Sequence, residues 1–200
     1  RTMADLVIRN GYVVTPSGAI YGGVAVDGEQ IVHVGANGSL PQARRVIDAK
    51  GQYVIPGLID AHVHMESEED TSLEEGLPAN LPVETDGAVH GGVTTIGQFC
   101  GWKGQSLVDR VRRTIAVEDR CYRVDYFLHA FIMSEDHLKE QPQLCRMGVT
   151  SFKHFFDAYK PRKGMELLEW LGPVDTGVLY QSFRFIGQHG YPAVGMVHAE

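Results

Sequence analysis

The 200-residue sequence is poor in cysteine and in basic charge, and it has no long apolar run. Its three cysteines, Cys100, Cys121 and Cys145, are odd in number and scattered. That excludes a disulfide framework and reads as free thiols in a reducing cytoplasm. Lys and Arg total 18 against 25 Asp and Glu, a formal net charge of −7, with no basic cluster. This balance argues against nucleic acid as a partner. No apolar run approaches the roughly 18 residues of a membrane helix, so no membrane partner is expected. A phosphate loop is missing too, because Gly101-Trp102-Lys103-Gly104 lacks the spacing and the Ser/Thr that one needs. There is no internal repeat and no signal-peptide pattern; Arg1 and Thr2, ahead of Met3, are read as a tag remnant. What is present is ordinary for a globular protein: 44% hydrophobic and 22% charged residues, which excludes disordered and fibrous classes.

Residues 4–55 read as short strands with tight turns. Leu6, Val7 and Ile8 make an apolar run over Asp5–Arg9, and Asn10-Gly11 marks a turn after it. Tyr12–Val14, Gly23–Val26 and Gln30–Val34 continue the pattern, punctuated by Pro16-Ser17-Gly18, Asp27-Gly28 and Gly35. A small antiparallel β unit is expected. At about 50 residues it is marginal alone and should lean on something larger. After Pro56, strand candidates alternate with helix-length stretches. The strands are Tyr53–His64, Gly92–Phe99, Arg123–Met133, Val149–Phe156 and Ala193–Ala199. Helices are expected near Gly104–Cys121, Ser134–Cys145, Lys163–Leu171 and Thr176–His189, the second starting at Ser134. The alternation predicts parallel strands joined by right-handed crossovers.

His62 and His64 stand two apart on the first of these strands, so both imidazoles face one side. Imidazole suits zinc, manganese, iron and nickel. Alone, the pair reads more often as hydrogen-bonded strand histidines than as ligands. Lys153 lies near the end of the apolar strand Val149–Phe156. One reading is an ammonium that snorkels to water. The other is a lysine of lowered basicity that takes up carbon dioxide, giving a carbamate whose two oxygens can bridge two cations. His198 ends the next strand and alone reads as a packed strand histidine.

Four runs of sequence carry a resemblance: Pro-Gly-Leu-Ile-Asp-Ala-His-Val-His (56–64), Gly-Gly-Val-Thr-Thr (91–95), Gly-Val-Thr-Ser-Phe-Lys (148–153) with Ala-Tyr-Lys (158–160), and Val-His-Ala-Glu (197–200). With His-x-His on a first barrel strand, Lys on a fourth and His on a fifth, the chain resembles the amidohydrolase superfamily. Within it, the chain is similar to the dihydropyrimidinase/hydantoinase branch of cyclic amidohydrolases. The resemblance implies an α/β fold: a (β/α)8 TIM-like barrel, its first five strands within residues 56–200, preceded by a small β-sandwich-type domain over 1–55 that residues outside this chain complete. It implies a metal-dependent hydrolase that opens the cyclic amide of a hydantoin, dihydropyrimidine or related ureide by attack of a metal-bridging hydroxide. His62 and His64 would bind the first divalent ion, carboxylated Lys153 would bridge two, and His198 would bind the second. Zinc is the expected metal, with manganese, iron and nickel as alternatives. Tyr159 would donate its hydroxyl to the oxyanion. A small cyclic amide is then the partner, in a cytoplasmic homo-oligomer (dimer or tetramer).

Two departures from the family pattern stand out. Tyr159 follows Lys153 by six residues where five are expected. Glu66 occupies the position where dihydroorotases carry a substrate-binding arginine, which argues against that activity. The acidic run Glu66, Glu68, Glu69, Asp70, Glu74, Glu75 reads as a solvated loop that alternatively edges the pocket. His33, His90, His137 and His189 read as surface or helix-end residues, and His129 as a packed core histidine or a support to the site. His154 points away from Lys153, Asp60 reads as a structural or supporting carboxylate, and nothing marks Cys100 as a nucleophile. A non-catalytic scaffold and a hydrolase of linear amides are the competing functions. A whole barrel needs on the order of 250 residues, whereas 56–200 supply 145. The family also places a histidine on the sixth strand and an aspartate, the proton-transfer base, on the eighth. The chain is therefore expected to be the N-terminal part of a polypeptide of more than about 400 residues.

Overall fold

The computed structural model describes residues 3–65, 77–156 and 174–199, without the side chains of 77–80. The chain divides into two compact units, residues 1–57 and 58–200.

The first unit is a five-stranded sheet of β1 (Ala4–Thr15), β2 (Gly18–Asp27), β3 (Gln30–Gly35), β4 (Ala43–Asp48) and β5 (Tyr53–Val54). The order is β3-β2-β1-β4, with β5 also on β1. The β1-β2 and β2-β3 pairs are antiparallel, as expected, but β4 and β5 run parallel to β1. The sheet is therefore mixed, which corrects the antiparallel expectation. Asn10-Gly11 is not a turn either. β1 runs straight through it, with a register shift against β2 between Ile8 and Gly11 and with Asn10 at φ 59°. The physical reason lies in its neighbours. The Asn10 amide donates to Asn37 Oδ1 (2.9 Å), and its carbonyl accepts the Gly51 N–H (2.7 Å). With both backbone groups satisfied, the positive-φ residue serves as a bulge. Asp27-Gly28 does turn the chain, and the Gly28 N–H donates to Asp5 Oδ2 (2.9 Å). Ala4, Val7 and Ala25 form the small core.

The second unit alternates strands and helices: β6 (Leu58–Val63), α1 (Leu77–His90), β7 (Val93–Cys100), α2 (Leu107–Cys121), β8 (Asp125–Phe131), α3 (Glu135–Arg146), β9 (Ser151–Phe155), α4 (Thr176–His189) and β10 (Val194–His198). All five strands pair in parallel, in the order β10-β9-β8-β7-β6. The expected strand Tyr53–His64 is in fact two, β5 in the first sheet and β6 in the second. α1 has no counterpart among the sequence expectations, because Pro78, Pro82 and Gly87 disfavour a helix there. The expected helix Lys163–Leu171 lies outside the described residues.

The helices bury one face each. On α2 this is Leu107, Val108, Val111, Thr114 and Glu118; on α3, His137, Gln141 and Leu144; on α4, Val178, Ser182 and Ile186. These apolar residues meet Leu128, Ala130 and Phe152 in the main core. Ser106, Ser134 and Asp175 cap the three helices. α2 has a second cap, Glu140 of α3, whose Oε2 accepts the N–H groups of Leu107 (2.6 Å) and Val108 (3.1 Å). A separate cluster of Phe99, Phe131, Met133 and Phe155, with Met196 against it, forms a second core. That cluster carries the site.

Candidate functional site

His62 and His64 lie at the C-terminal end of β6, on one face by strand parity. Their Nε2 atoms stand 3.3 Å apart. Asp60, two residues earlier, accepts the backbone N–H of His62 at 3.2 Å. Both imidazoles lie on the ring of Phe99, which is 1% exposed. The centroid separations are 4.6 Å for His62 and 4.7 Å for His64, the latter stacked within 10°. His129 lies on the same ring at 4.8 Å and Phe131 at 5.1 Å.

Lys153 reaches the same place from β9. Its Nζ stands 5.6 Å from the Phe99 centroid and 5.8 Å from that of Phe155. The residue is 8% exposed, and among the described residues no carboxylate pairs with it. Burial lowers the basicity of its ammonium. Burial also holds His62 below the ordinary histidine range. The Lys153 and His64 charges add to that effect, Asp60 opposes it, and His198 contributes weakly. His198, at the end of β10, has its ring 5.4 Å from that of Phe155. The four positions singled out by the sequence therefore gather around Phe99 and Phe155, two phenylalanines bridged by Phe131. Within this group the His62 and His64 rings come within hydrogen-bond distance of one another. Among the described residues no group of three His, Cys, Asp or Glu side chains converges as a metal cage.

The donor chemistry nonetheless fits a metal centre. Two imidazole nitrogens face each other, and a buried lysine and the Asp60 carboxylate stand in the same electrostatic field. An uncompensated ammonium is costly in so buried a place.

Tyr159 and the acids Glu66–Glu75 lie outside the described residues. His154 faces the helices, fully buried, with Nε2 2.8 Å from Ser182 Oγ and Nδ1 3.0 Å from the Met196 carbonyl. Cys100 is buried against the Thr114 hydroxyl (3.4 Å), a packing position. His33 meets Ser39 Oγ at 2.9 Å, and His90 and His189 sit exposed at helix ends. His137 is not a surface residue. It is 2% exposed, its Nδ1 accepts the Met133 N–H (3.1 Å), and its Nε2 donates to the Gln105 carbonyl (3.0 Å). The helix-end half of the reading holds, since it stands in the first turn of α3, but that charged turn hides a buried position.

Sequence reasoning missed Phe99 and left His129 between two roles. His129 is 5% exposed and bonds both Ala61 and Ser151. The available signal was Gly97, since a glycine inside a strand marks a close approach. A Cβ there would stand 2.7 Å from Phe127 and 2.8 Å from His129 Nε2.

No family model matches the sequence. A D-hydantoinase of Ralstonia pickettii is 33% identical over 168 residues, 82% of this chain and 35% of the relative. A D-hydantoinase of Rhizobium radiobacter is 32% identical over 199 residues, 98% of this chain and 40% of the relative. The solved L-hydantoinase (dihydropyrimidinase) from Arthrobacter aurescens superposes with a TM-score of 0.77 at 26% identity, over 99% of this chain and 41% of that one. The class is thus a mixed α/β fold whose parallel sheet curls into a half-barrel like those of hydantoinase structures. The chain belongs to the hydantoinase/dihydropyrimidinase family of the amidohydrolase superfamily. It spans about a third to two fifths of the length of these hydantoinases.

Proposed function

We propose that the protein carrying these residues is a metal-dependent hydrolase that opens the ring of a small cyclic amide: a hydantoin, dihydropyrimidine or related ureide. What carries the reading is the His62/His64 pair sharing the Phe99 ring with the buried Lys153, which has no carboxylate partner among the described residues. The family relationship, which extends over four fifths of the chain and more, supports it. On this reading residues 56–200 form the first part of a (β/α)8 barrel. Residues 1–55 belong to a β-sandwich-type domain that the remainder of a longer polypeptide completes. The enzyme is a cytoplasmic homo-oligomer.

His62, His64, carboxylated Lys153 and His198 would hold two divalent ions, zinc first among the alternatives. Bound there, such ions lower the pKa of water and polarise a carbonyl. The rest falls to the chain itself. Burial keeps a larger share of Lys153 as the neutral amine. Its nitrogen lone pair can then attack carbon dioxide; the N–C bond forms, an electron pair moves onto oxygen, and the nitrogen loses a proton to water. Phe99 and Phe155 shield that nitrogen, and Phe99 orients both imidazoles. Asp60 holds the His62 backbone. Tyr159 is assigned as the oxyanion donor.

Metal analysis and a substrate panel test the reading. The protein is expected to hold two metals per chain and Lys153→Ala at most one. Hydantoin, dihydrouracil or allantoin should be hydrolysed in preference to N-acyl amino acids. Two metals retained in Lys153→Ala, or turnover of linear amides alone, would overturn it.

A further inference from the structure

His129 belongs to β8, yet it is bonded to β6, two strands away. Its Nε2 stands 2.9 Å from the carbonyl of Ala61, the residue just before His62. β7 lies between the two strands, and the ring crosses it at Gly97. A Cβ at position 97 would sit 2.8 Å from Nε2 and 2.7 Å from the Phe127 ring, so a side chain there crowds the imidazole at its bonded nitrogen. The other ring nitrogen is committed as well. Nδ1 stands 2.7 Å from Ser151 Oγ on β9, two residues before Lys153.

The chemistry of the partners sets the tautomer. A carbonyl only accepts, so Nε2 carries the hydrogen; Nδ1 then accepts from the Ser151 hydroxyl. The neutral imidazole thus satisfies a donor and an acceptor in a buried place, where either one left unmade would be costly. One side chain ties the backbone ahead of the histidine pair to the strand of the lysine. The tie spans four strands of the sheet, β6 to β9, and lies against the Phe99 ring that both metal-site histidines share.

We propose that His129 is a positioning residue for the metal centre. Through Ala61 and Ser151 it sets His62 against Lys153, and Gly97 is the gap that lets it reach. The proposal rests on the metal-centre reading above. Groups that orient ligands in this way typically contribute about 10–100-fold in metal affinity.

The test measures zinc affinity by chelator competition in the protein that carries these residues, alongside thermal unfolding of the metal-free form. His129→Phe keeps a ring on Phe99 and loses both bonds; at least a ten-fold loss of affinity is expected. His129→Gln places an amide N–H near the Nε2 position and should restore affinity to within about three-fold of the parent, given the modest net worth of the single bond it then lacks. Gly97→Ala leaves every hydrogen-bonding group in place and should weaken zinc as His129→Phe does, so it decides the matter if that variant fails to fold. Parental affinity in His129→Phe or in Gly97→Ala overturns the proposal and leaves the metal-centre reading standing. Equal losses in His129→Phe and His129→Gln also overturn it, because the Ala61 bond would then not be the cause. A parent that binds no zinc refutes the metal-centre reading, and this proposal with it.

Discussion

At the residue scale, the molecule spends its aromatic rings on placing polar groups. Phe99 collects three histidines and a lysine, and Tyr126 shows a related economy on β8. Its hydroxyl donates to Asp119 Oδ1 at 2.6 Å. Partial burial, that bond and the nearby Glu118 and Asp119 charges push its pKa well above the ordinary 10. The unfolded chain therefore ionises this tyrosine first. The stability it contributes is complete below pH 10 and is lost as the pH rises through the folded value. The urea midpoint is expected to fall between pH 10 and 11.5 in the parent, and less steeply in Tyr126→Phe; parallel falls would refute the account. The His-x-His pair was legible in the sequence because strand parity alone puts both rings on one face. The reach of His129 was not. It depends on Ala61, Gly97 and Ser151, three residues on three other strands, whose registers no local pattern contains.

At the element scale, the strands and helices of the second unit were legible because period and punctuation agreed. Ser134 and Asp175 start helices, and apolar residues recur at helical spacing along α2. The exceptions have local causes. α1 tolerates Pro82 although propensity opposes it, with Leu81 and Thr85 fully buried. Asn10-Gly11 has turn chemistry but is used as a bulge, and only the pairing of 49–52 with β1 reveals that. The start of α2 supplies a prediction. Glu140 accepts two of its free N–H groups, the role of an N-cap carboxylate, from a different helix. Glu140→Ala is expected to cost about 1–2 kcal/mol in urea unfolding, and Glu140→Gln about half of that, as the amide keeps an acceptor but loses the charge. Parental stability in Glu140→Ala would show that Ser106 caps α2 unaided.

At the scale of the whole molecule, the two units differ in how their backbone is covered. β8 has a strand on each side and helices over one face, whereas β3 is the last strand of its path and exposes Ile31, Val32 and Val34. Amide exchange should reflect this, with β8 protected more than about ten-fold over β3; equal protection would contradict it. The borrowed cap has one more consequence, for the order of assembly. α2 comes before α3 in the chain, yet its first turn is satisfied only once α3 has arrived. A nascent chain ending near residue 125 would hold α2 with two N–H groups unpaired by protein, and β8 and α3 would have to form before that helix is secure. The two βα units are thereby coupled, so loosening α3 should also loosen the start of α2.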